Sequence, residues 1–373
     1  MNVPTAIKVG FLEDSGQFDV EPMRRAIELR IDQCNDAGGI QGRSIDLVVE
    51  QAEGAHAGLP ENIVPAWRKL VLDPEVVGVI GPGIADNCLV LADVVQAAGV
   101  PTLCWPGAEE CRNEWMFQFP SGSFAHESVF LARLLAQLGH ERVAVLQTGT
   151  VGDKYARHFE REARLLGLAV AGSESVDVFR DDVEEEMRRL RRGQPDAALF
   201  LGMGPPTLAF ARATRAMSWD VPRFSNIAMR RVTNLHRAEL SDFEGVTWTD
   251  QFEPSNPVLQ DMRRRYRDRH GDFPPATFLA GGGWDMATLI LEGLRRAPVI
   301  SRNGLRSGLE LVHQIPAATG GAAAVMGFGP WDREALKGPA IFNYRHVVDQ
   351  SIETRHVSIA SKSTNEGSQD SWP

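Results

Sequence analysis

Two groups of residues that could hold a small ligand each follow a short apolar run. Val76–Ile80 has the length and β-branched content of a strand buried on both faces of a parallel sheet, and Val100–Cys104 indicates a second strand. Between them, apolar residues recur at helical spacing over 86–98, which predicts one strand–helix–strand unit. Ligands of such units lie beyond the carboxyl ends of the strands, where helix N-termini offer unpaired N–H groups. The candidate ligand residues there are Gly83, Ala85, Asp86, Trp105, Gly107 and Glu109.

Local catalytic motifs are missing from the sequence. The glycine turn at 81–83 resembles a nucleotide-binding turn, but Asp86 occupies the third glycine position of G-x-G-x-x-G. The nine histidines form no His-Glu-x-x-His pair, and there is no Cys-x-x-Cys, G-x-S-x-G or phosphate-loop motif. We therefore expect a binding protein with no metal and no cofactor. An enzyme whose catalytic residues come from distant segments is the remaining alternative.

Composition narrows the class of partner. A net charge of -10 argues against nucleic acid and anionic membranes as partners. The length of 373 residues exceeds one typical domain and favours two lobes. Of the four cysteines, Cys104 and Cys111 could approach each other across a loop, but spacing alone does not identify a disulfide. Small thiols in the core are the favoured interpretation.

The order of predicted elements indicates two similar lobes. Strands and helices alternate up to a first crossing at Met116–Pro120, and a second alternating series follows. Further crossings are predicted at Gly245–Phe252 and Met326–Gly329. The predicted fold class is α/β, with two doubly wound parallel-sheet lobes joined by a three-segment hinge. The expected lobes are 1–119 with 251–326 and 120–250 with 327–357, followed by a polar tail at 358–373 that we expect to be disordered.

Three segments carry a resemblance to a known family. They are AIKVGFLEDSGQF (Ala6–Phe18), NDAGGIQGRSIDLVVE (Asn35–Glu50) and VIGPGIADNCLVLADVVQAAGVP (Val79–Pro101). Together they resemble the type I periplasmic binding proteins, in the branch that binds leucine, isoleucine and valine, and the resemblance extends to about Val357. It implies lobes that close around a small organic ligand and the membrane permease of an ABC importer as partner. It also implies an extracytoplasmic location and a monomer or weak dimer.

The resemblance places the family's ligand residues on this sequence, but most of the amino-acid clamp is absent. Ala85 stands at the position of a serine, and Gly107 and Glu109 at those of a small residue and a threonine. Ile227 stands where the family has the acid that receives the ligand's ammonium group. The other implied site residues are Ser15, Gln17, Gly204, Asn226 beside Ile227, and Tyr155, one helical turn beyond the family's tyrosine position at Gly152.

The substituted clamp predicts a change of ligand class. Glu109 would repel a carboxylate bound nearby, and Trp105 would supply a flat apolar wall. We therefore expect a ligand other than a free branched-chain amino acid, neutral or partly cationic and with apolar surface, such as an amide or an aromatic compound. The alternative for Trp105 is a core residue, and Asp86 could cap the following helix.

A local similarity supports an alternative function. LCWPGAEE at 103–110 is similar to the matching stretch of the cytoplasmic amide-sensing regulator of the same fold. A cytoplasmic ligand sensor is therefore the alternative to a transport protein. Met1 lies only a few residues before the first predicted strand, which leaves no room for a signal peptide. Either a leader was removed or the protein stays in the cytoplasm, and an upstream in-frame leader would decide between them.

Overall fold

A parallel sheet of five strands forms the first lobe. The computed structural model describes residues 6–14, 20–55, 58–119, 123–230, 239–336 and 341–355. The sheet has the order β2-β1-β3-β4-β5, and every pair in it is parallel. Its strands and connecting helices are β1 (Ile7–Glu13), α1 (Glu21–Asp36), β2 (Ile45–Gln51), α2 (Ile63–Leu72), β3 (Val76–Ile80), α3 (Ala85–Ala98), β4 (Thr102–Cys104) and β5 (Met116–Gln118).

A second sheet forms the second lobe and has the order β14-β13-β10-β9-β8-β6-β7, in which β13 is Asn343–Val348 and β14 is Ser351–Arg355. The strands β7, β6, β8, β9 and β10 are parallel, as predicted. The elements of this run are α4 (Phe124–Gln137), β6 (Arg142–Thr148), α5 (Gly149–Leu165), β7 (Ala169–Val176), α6 (Glu184–Arg191), β8 (Ala197–Leu201), α7 (Pro206–Ala216), β9 (Arg223–Ser225) and β10 (Val246–Asp250).

The last third of the chain contributes to both lobes. The helix Thr277–Arg296 (α9) packs along α1, and the helix Arg302–Leu309 (α10) packs against β3, so both lie against elements of the first sheet. The chain then returns to the second sheet, which gives three passages between the sheets. The predicted fold class is therefore confirmed, while the lobe boundaries stay a prediction. The elements are α8 (Pro257–His270), α9 (Thr277–Arg296), α10 (Arg302–Leu309), β11 (Ile315–Pro316), β12 (Val325–Met326), β13 (Asn343–Val348) and β14 (Ser351–Arg355).

The edge of the second sheet differs from the prediction of an all-parallel sheet. Strand β13 is antiparallel to β10, and β14 forms an antiparallel hairpin with β13. The hairpin turns at Asp349 and Gln350, whose φ angles are 49° and 54°. Two central residues with positive φ match the twist of the flanking strands, so a two-residue turn suffices.

Burial explains where the sheets and helices lie. All five residues of β3 are buried, as expected for a central parallel strand.

All four cysteines are free and buried, so Cys104 and Cys111 are not paired. Among the described helices, none combines the length and the hydrophobicity needed to span a lipid bilayer. The predicted tail lies outside the described residues.

Candidate functional site

A cavity of about 330 Å³ lies between the two lobes. Because parallel strands end at the same edge of a sheet, the loops after β3 and β4 meet the loops after β6, β7 and β8 across this space. Two backbone bonds fix the first-lobe loops relative to each other: Gly81 N–H donates to Leu103 O at 2.8 Å and Trp105 N–H to Pro82 O at 3.0 Å. The lining residues are Gly83, Ile84, Ala85, Asp86, Trp105, Pro106 and Gly107 from the first lobe, and Phe124, Thr148, Gly149, Thr150, Val151, Tyr155, Asp177, Val178, Met203 and Ile227 from the second.

The sequence-predicted site residues fall into three groups. Those that line the cavity are Gly83, Ala85, Asp86, Trp105, Gly107 and Tyr155. Those that do not line it are Gly204, Asn226 and Glu109; Asn226 is fully buried and Glu109 is exposed. Ser15 and Gln17 lie outside the described residues.

Asp14 directly follows β1 and holds the loop that leads into α3, and it was not among the predicted site residues. Its Oδ1 accepts the N–H of Gly83 at 2.8 Å, and its Oδ2 accepts the N–H of Ile84 at 3.0 Å and the Nδ2 of Asn87 at 2.9 Å. Burial raises the pKa of Asp14 to about 6, against the effect of these hydrogen bonds. Asp86 lies within the first turn of α3, and the N-cap position is Ile84, so the expectation that Asp86 caps the helix is wrong.

Trp105 is both a core residue and a wall of the cavity. Its side chain is 4% exposed and meets Phe119 edge-on with ring centroids 5.9 Å apart. The six-membered ring fills a notch at Gly282 of α9, where an added Cβ would lie 2.1 Å from Trp105 Cη2. The indole Nε1 has no hydrogen-bond partner within the described ranges. The wall is therefore fixed by packing, and it carries a buried donor that remains to be satisfied.

A buried carboxyl group holds the second-lobe wall. Glu127 accepts a hydrogen bond from the Tyr155 hydroxyl at 2.5 Å, from Ile227 N–H at 2.6 Å and from the Thr249 hydroxyl. Burial raises the pKa of Glu127, and these hydrogen bonds and the nearby Arg230 oppose that rise. Because Tyr155 and Ile227 line the cavity, Glu127 acts as a positioning residue one layer behind it.

Comparison with known proteins identifies the family. The sequence matches the periplasmic binding protein family over residues 6–344. The chain belongs to this family. It is a solute-binding protein rather than an enzyme, because the family and its structural neighbours are substrate-binding proteins. A comparison with curated protein sequences gave no match.

Solved structures share the type I fold of this periplasmic binding protein. A type 1 periplasmic binding protein from Bordetella pertussis is 20% identical, with a TM-score of 0.79 over 94% of this chain and 100% of its own. A substrate-binding protein of an ABC transporter from Desulfitobacterium hafniense, solved with leucine, is 20% identical, with a TM-score of 0.77 over 94% of this chain and 99% of its own. A branched-chain amino acid transporter substrate-binding protein from Streptococcus pneumoniae, solved with isoleucine, is 16% identical, with a TM-score of 0.78 over 94% of this chain and 99% of its own.

A salt bridge and a cation–π contact join the lobes of the periplasmic binding protein near the cavity. Glu110, in the loop after Trp105, accepts Lys154 Nζ of α5 at 2.8 Å. Burial would raise the pKa of Glu110, but this contact lowers it below its ordinary value. The second contact begins at Arg230, which pairs with Asp250 at 2.7 Å in the second lobe and lies 4.5 Å from the ring centroid of Phe278 in α9.

A smaller compartment of about 40 Å³ adjoins the cavity on the first-lobe side. Gly83, Ile84 and Trp105 line both spaces. The remaining walls of the compartment are apolar except for two acids. These walls are Phe11, Glu13, Asp14, Val20, Met23, Phe278 and Leu279. Within the described part of the chain, no three His, Cys, Asp or Glu side chains are arranged to hold a metal ion.

Proposed function

We propose that this solute-binding protein serves an ABC importer and closes its lobes around a small organic ligand that is neutral or partly cationic and has apolar surface. The observation that carries the proposal is the cavity of about 330 Å³ with walls from both lobes. Its size lies at the lower end of the range for small-molecule sites. Walls from two lobes allow binding to be coupled to hinge motion, which a membrane permease can recognise.

The charges of the site support the ligand class. Asp86 and Asp177 are acidic, and none of the described lining residues is basic. A free amino acid would bring a carboxylate, and an unpaired buried carboxylate is costly. The N–H groups of Gly83 and Ile84, directly before α3, are already bound by Asp14, whose carboxylate would repel a ligand carboxylate placed there. The same walls favour an apolar or aromatic body against Trp105, Phe124 and Tyr155.

A second candidate function is a cytoplasmic ligand-sensing regulator. It is supported by Trp105 at the cavity wall, within the stretch similar to that of the amide-sensing regulator. The two functions predict different locations for the native gene product. Fractionation of cells that express the natural gene from its own start should find it outside the cytoplasm for a transport role and inside for a sensor.

A thermal-shift panel of amino acids, amides and aromatic compounds tests the ligand class, with calorimetry for each compound that stabilises the protein. We expect amides, amines or aromatic compounds to raise the melting temperature, because binding to the folded state alone stabilises it. A confirmed ligand should also reduce the radius of gyration in small-angle scattering. Tight binding of leucine, isoleucine or valine would overturn the proposed ligand class, and an unchanged radius would overturn lobe closure.

A further inference from the structure

We propose that the small compartment beside the cavity binds the ammonium head of an organic cation; this inference rests on the proposed function and names its ligand class. The compartment combines aromatic walls from Phe11, Trp105 and Phe278 with carboxylates from Glu13 and Asp14. Aromatic faces attract organic ammonium groups through their negative π surfaces, and adjacent carboxylates add charge attraction. Its volume of about 40 Å³ suits a compact head of a few heavy atoms.

The charge balance around the compartment is negative. Glu13 and Asp14 are each 7% exposed, so solvent screens their charges only weakly. Arg24 lies 3.4 Å from Glu13, but it is 31% exposed and does not line the compartment. Arg230 stacks on Phe278 and pairs at 2.7 Å with Asp250, which also pairs with Arg345 at 2.9 Å. None of these three charged residues lines the compartment, so the charged walls that a bound cation would meet are the carboxylates of Glu13 and Asp14.

The indole of Trp105 supplies a separate indication of a ligand. Its Nε1 is a donor without a partner in the described structure, on a side chain that is 96% buried and that lines both spaces. Buried donors normally have partners, so an acceptor on the ligand fits this position. The inferred ligand thus carries an ammonium head for the compartment and a hydroxyl or carbonyl oxygen for Trp105. Its remaining part lies in the larger cavity beside Asp86 and Asp177.

A pair of probes of nearly equal shape separates charge from shape. Choline carries a methylated ammonium group and a hydroxyl, and dimethylbutanol is its neutral analogue with carbon in place of nitrogen. Calorimetry on the full chain should give a dissociation constant for choline at least about tenfold lower than for dimethylbutanol. Equal or tighter binding of dimethylbutanol would overturn the inference, and so would the absence of choline binding at millimolar concentration. Binding of neutral amides in the earlier panel would then leave the proposed function intact.

Charge-removing variants locate the effect. Asp14→Asn and Glu13→Gln keep the shape of the walls and should each reduce the preference for choline severalfold. Asp93→Asn is the matched control, because Asp93 is an exposed acid of α3 that lines neither space. Melting temperatures show whether Asp14→Asn folds, and Glu13→Gln tests the same compartment without altering the hydrogen bonds from Asp14 to the loop before α3. An unchanged preference in Glu13→Gln together with a folded Asp14→Asn would overturn the inference.

Discussion

Replacing Glu127 tests whether one buried carboxyl group holds the second-lobe wall of the cavity. In Glu127→Leu the hydroxyls of Tyr155 and Thr249 and the N–H of Ile227 lose their shared acceptor. The Ile227 N–H and the Thr249 hydroxyl are then buried donors that have lost their acceptor, at about 1–3 kcal/mol each, so we expect a loss of at least about 2 kcal/mol in the free energy of unfolding. For a chain of 373 residues this corresponds to a decrease of roughly 3 °C or more in the melting temperature.

Glu127→Gln is the matched control, and we expect it to fold within about 1 kcal/mol of the wild type. The amide oxygen can keep the bonds from Ile227 and Thr249. The amide NH₂ then faces the Tyr155 hydroxyl, which can accept as well as donate a hydrogen bond. Chemical denaturation measures both variants. Equal losses in Gln and Leu would show that the hydrogen-bond network does not account for the stability.

The pH dependence supplies a second test of the same group. Because burial raises the pKa of Glu127 in the folded state, that state binds the proton more tightly than the unfolded chain does. The contribution of Glu127 to the free energy of unfolding is complete below the ordinary pKa of a glutamate. It is lost as the pH rises through the pKa that Glu127 has in the folded state. The wild type should therefore lose stability relative to Glu127→Gln as the pH rises from about 4 through the raised pKa of the folded state. A difference that stays constant over this range would contradict the raised pKa.

Three further predictions concern packing, lobe contacts and pH. Gly282→Ala should cost about 1–3 kcal/mol and shift tryptophan emission, because its Cβ would collide with Trp105; unchanged unfolding would refute this. In a double-mutant cycle of ligand affinity, Glu110→Gln and Lys154→Met should show a coupling free energy of at most about 1 kcal/mol, because Glu110 is 53% exposed. Strictly additive effects of the two substitutions would exclude a contact between the lobes at this pair. Burial raises the pKa of Asp285 to about 7, so the wild type should lose up to about 1.4 kcal/mol of stability per pH unit between about pH 4 and 7. Denaturation curves of Asp285→Asn should lack this loss, and an identical slope in the variant would contradict the raised pKa.

Elements with local boundary chemistry were predictable from the sequence. Helix α8 spans Pro257–His270, directly between Asn256 and Gly271. Asn256 accepts the N–H groups of Val258 and Leu259, and Gly271 ends the helix with a φ of 87°. Capping residues, a first-turn proline and a terminal glycine depend only on neighbouring residues, so they can be recognised in a single sequence.

The β13–β14 hairpin and the start of α5 show where local patterns failed. Asp349-Gln350 lacks the glycine that usually marks a two-residue turn, so no hairpin was predicted. Helix α5 begins at Gly149, directly after β6. Residues 149–151 line the cavity, and their small or branched side chains give little helical periodicity.

The candidate site was predictable by position but not by its partners. The positions of Gly83, Asp86 and Trp105 followed from the rule that ligands lie beyond strand ends. The polar groups behind these walls come from distant parts of the sequence. Glu127 meets Ile227 across 100 residues and Thr249 across 122. A buried glutamate in the first turn of a helix has no sequence signature that distinguishes it from a solvated one.

The contacts between the lobes are weak enough for a ligand to control closure. The partly exposed pair of Glu110 and Lys154 contributes at most about 1 kcal/mol, and Arg230 over Phe278 about 1–2 kcal/mol. A change from 1:99 to 99:1 between open and closed forms requires about 5.5 kcal/mol of differential binding. These contacts already count in the equilibrium without ligand, so the ligand has to supply this difference through its own interactions with both lobes. Trp105 is fixed on Gly282 of its own lobe, so the first wall keeps its shape while the second lobe moves against it.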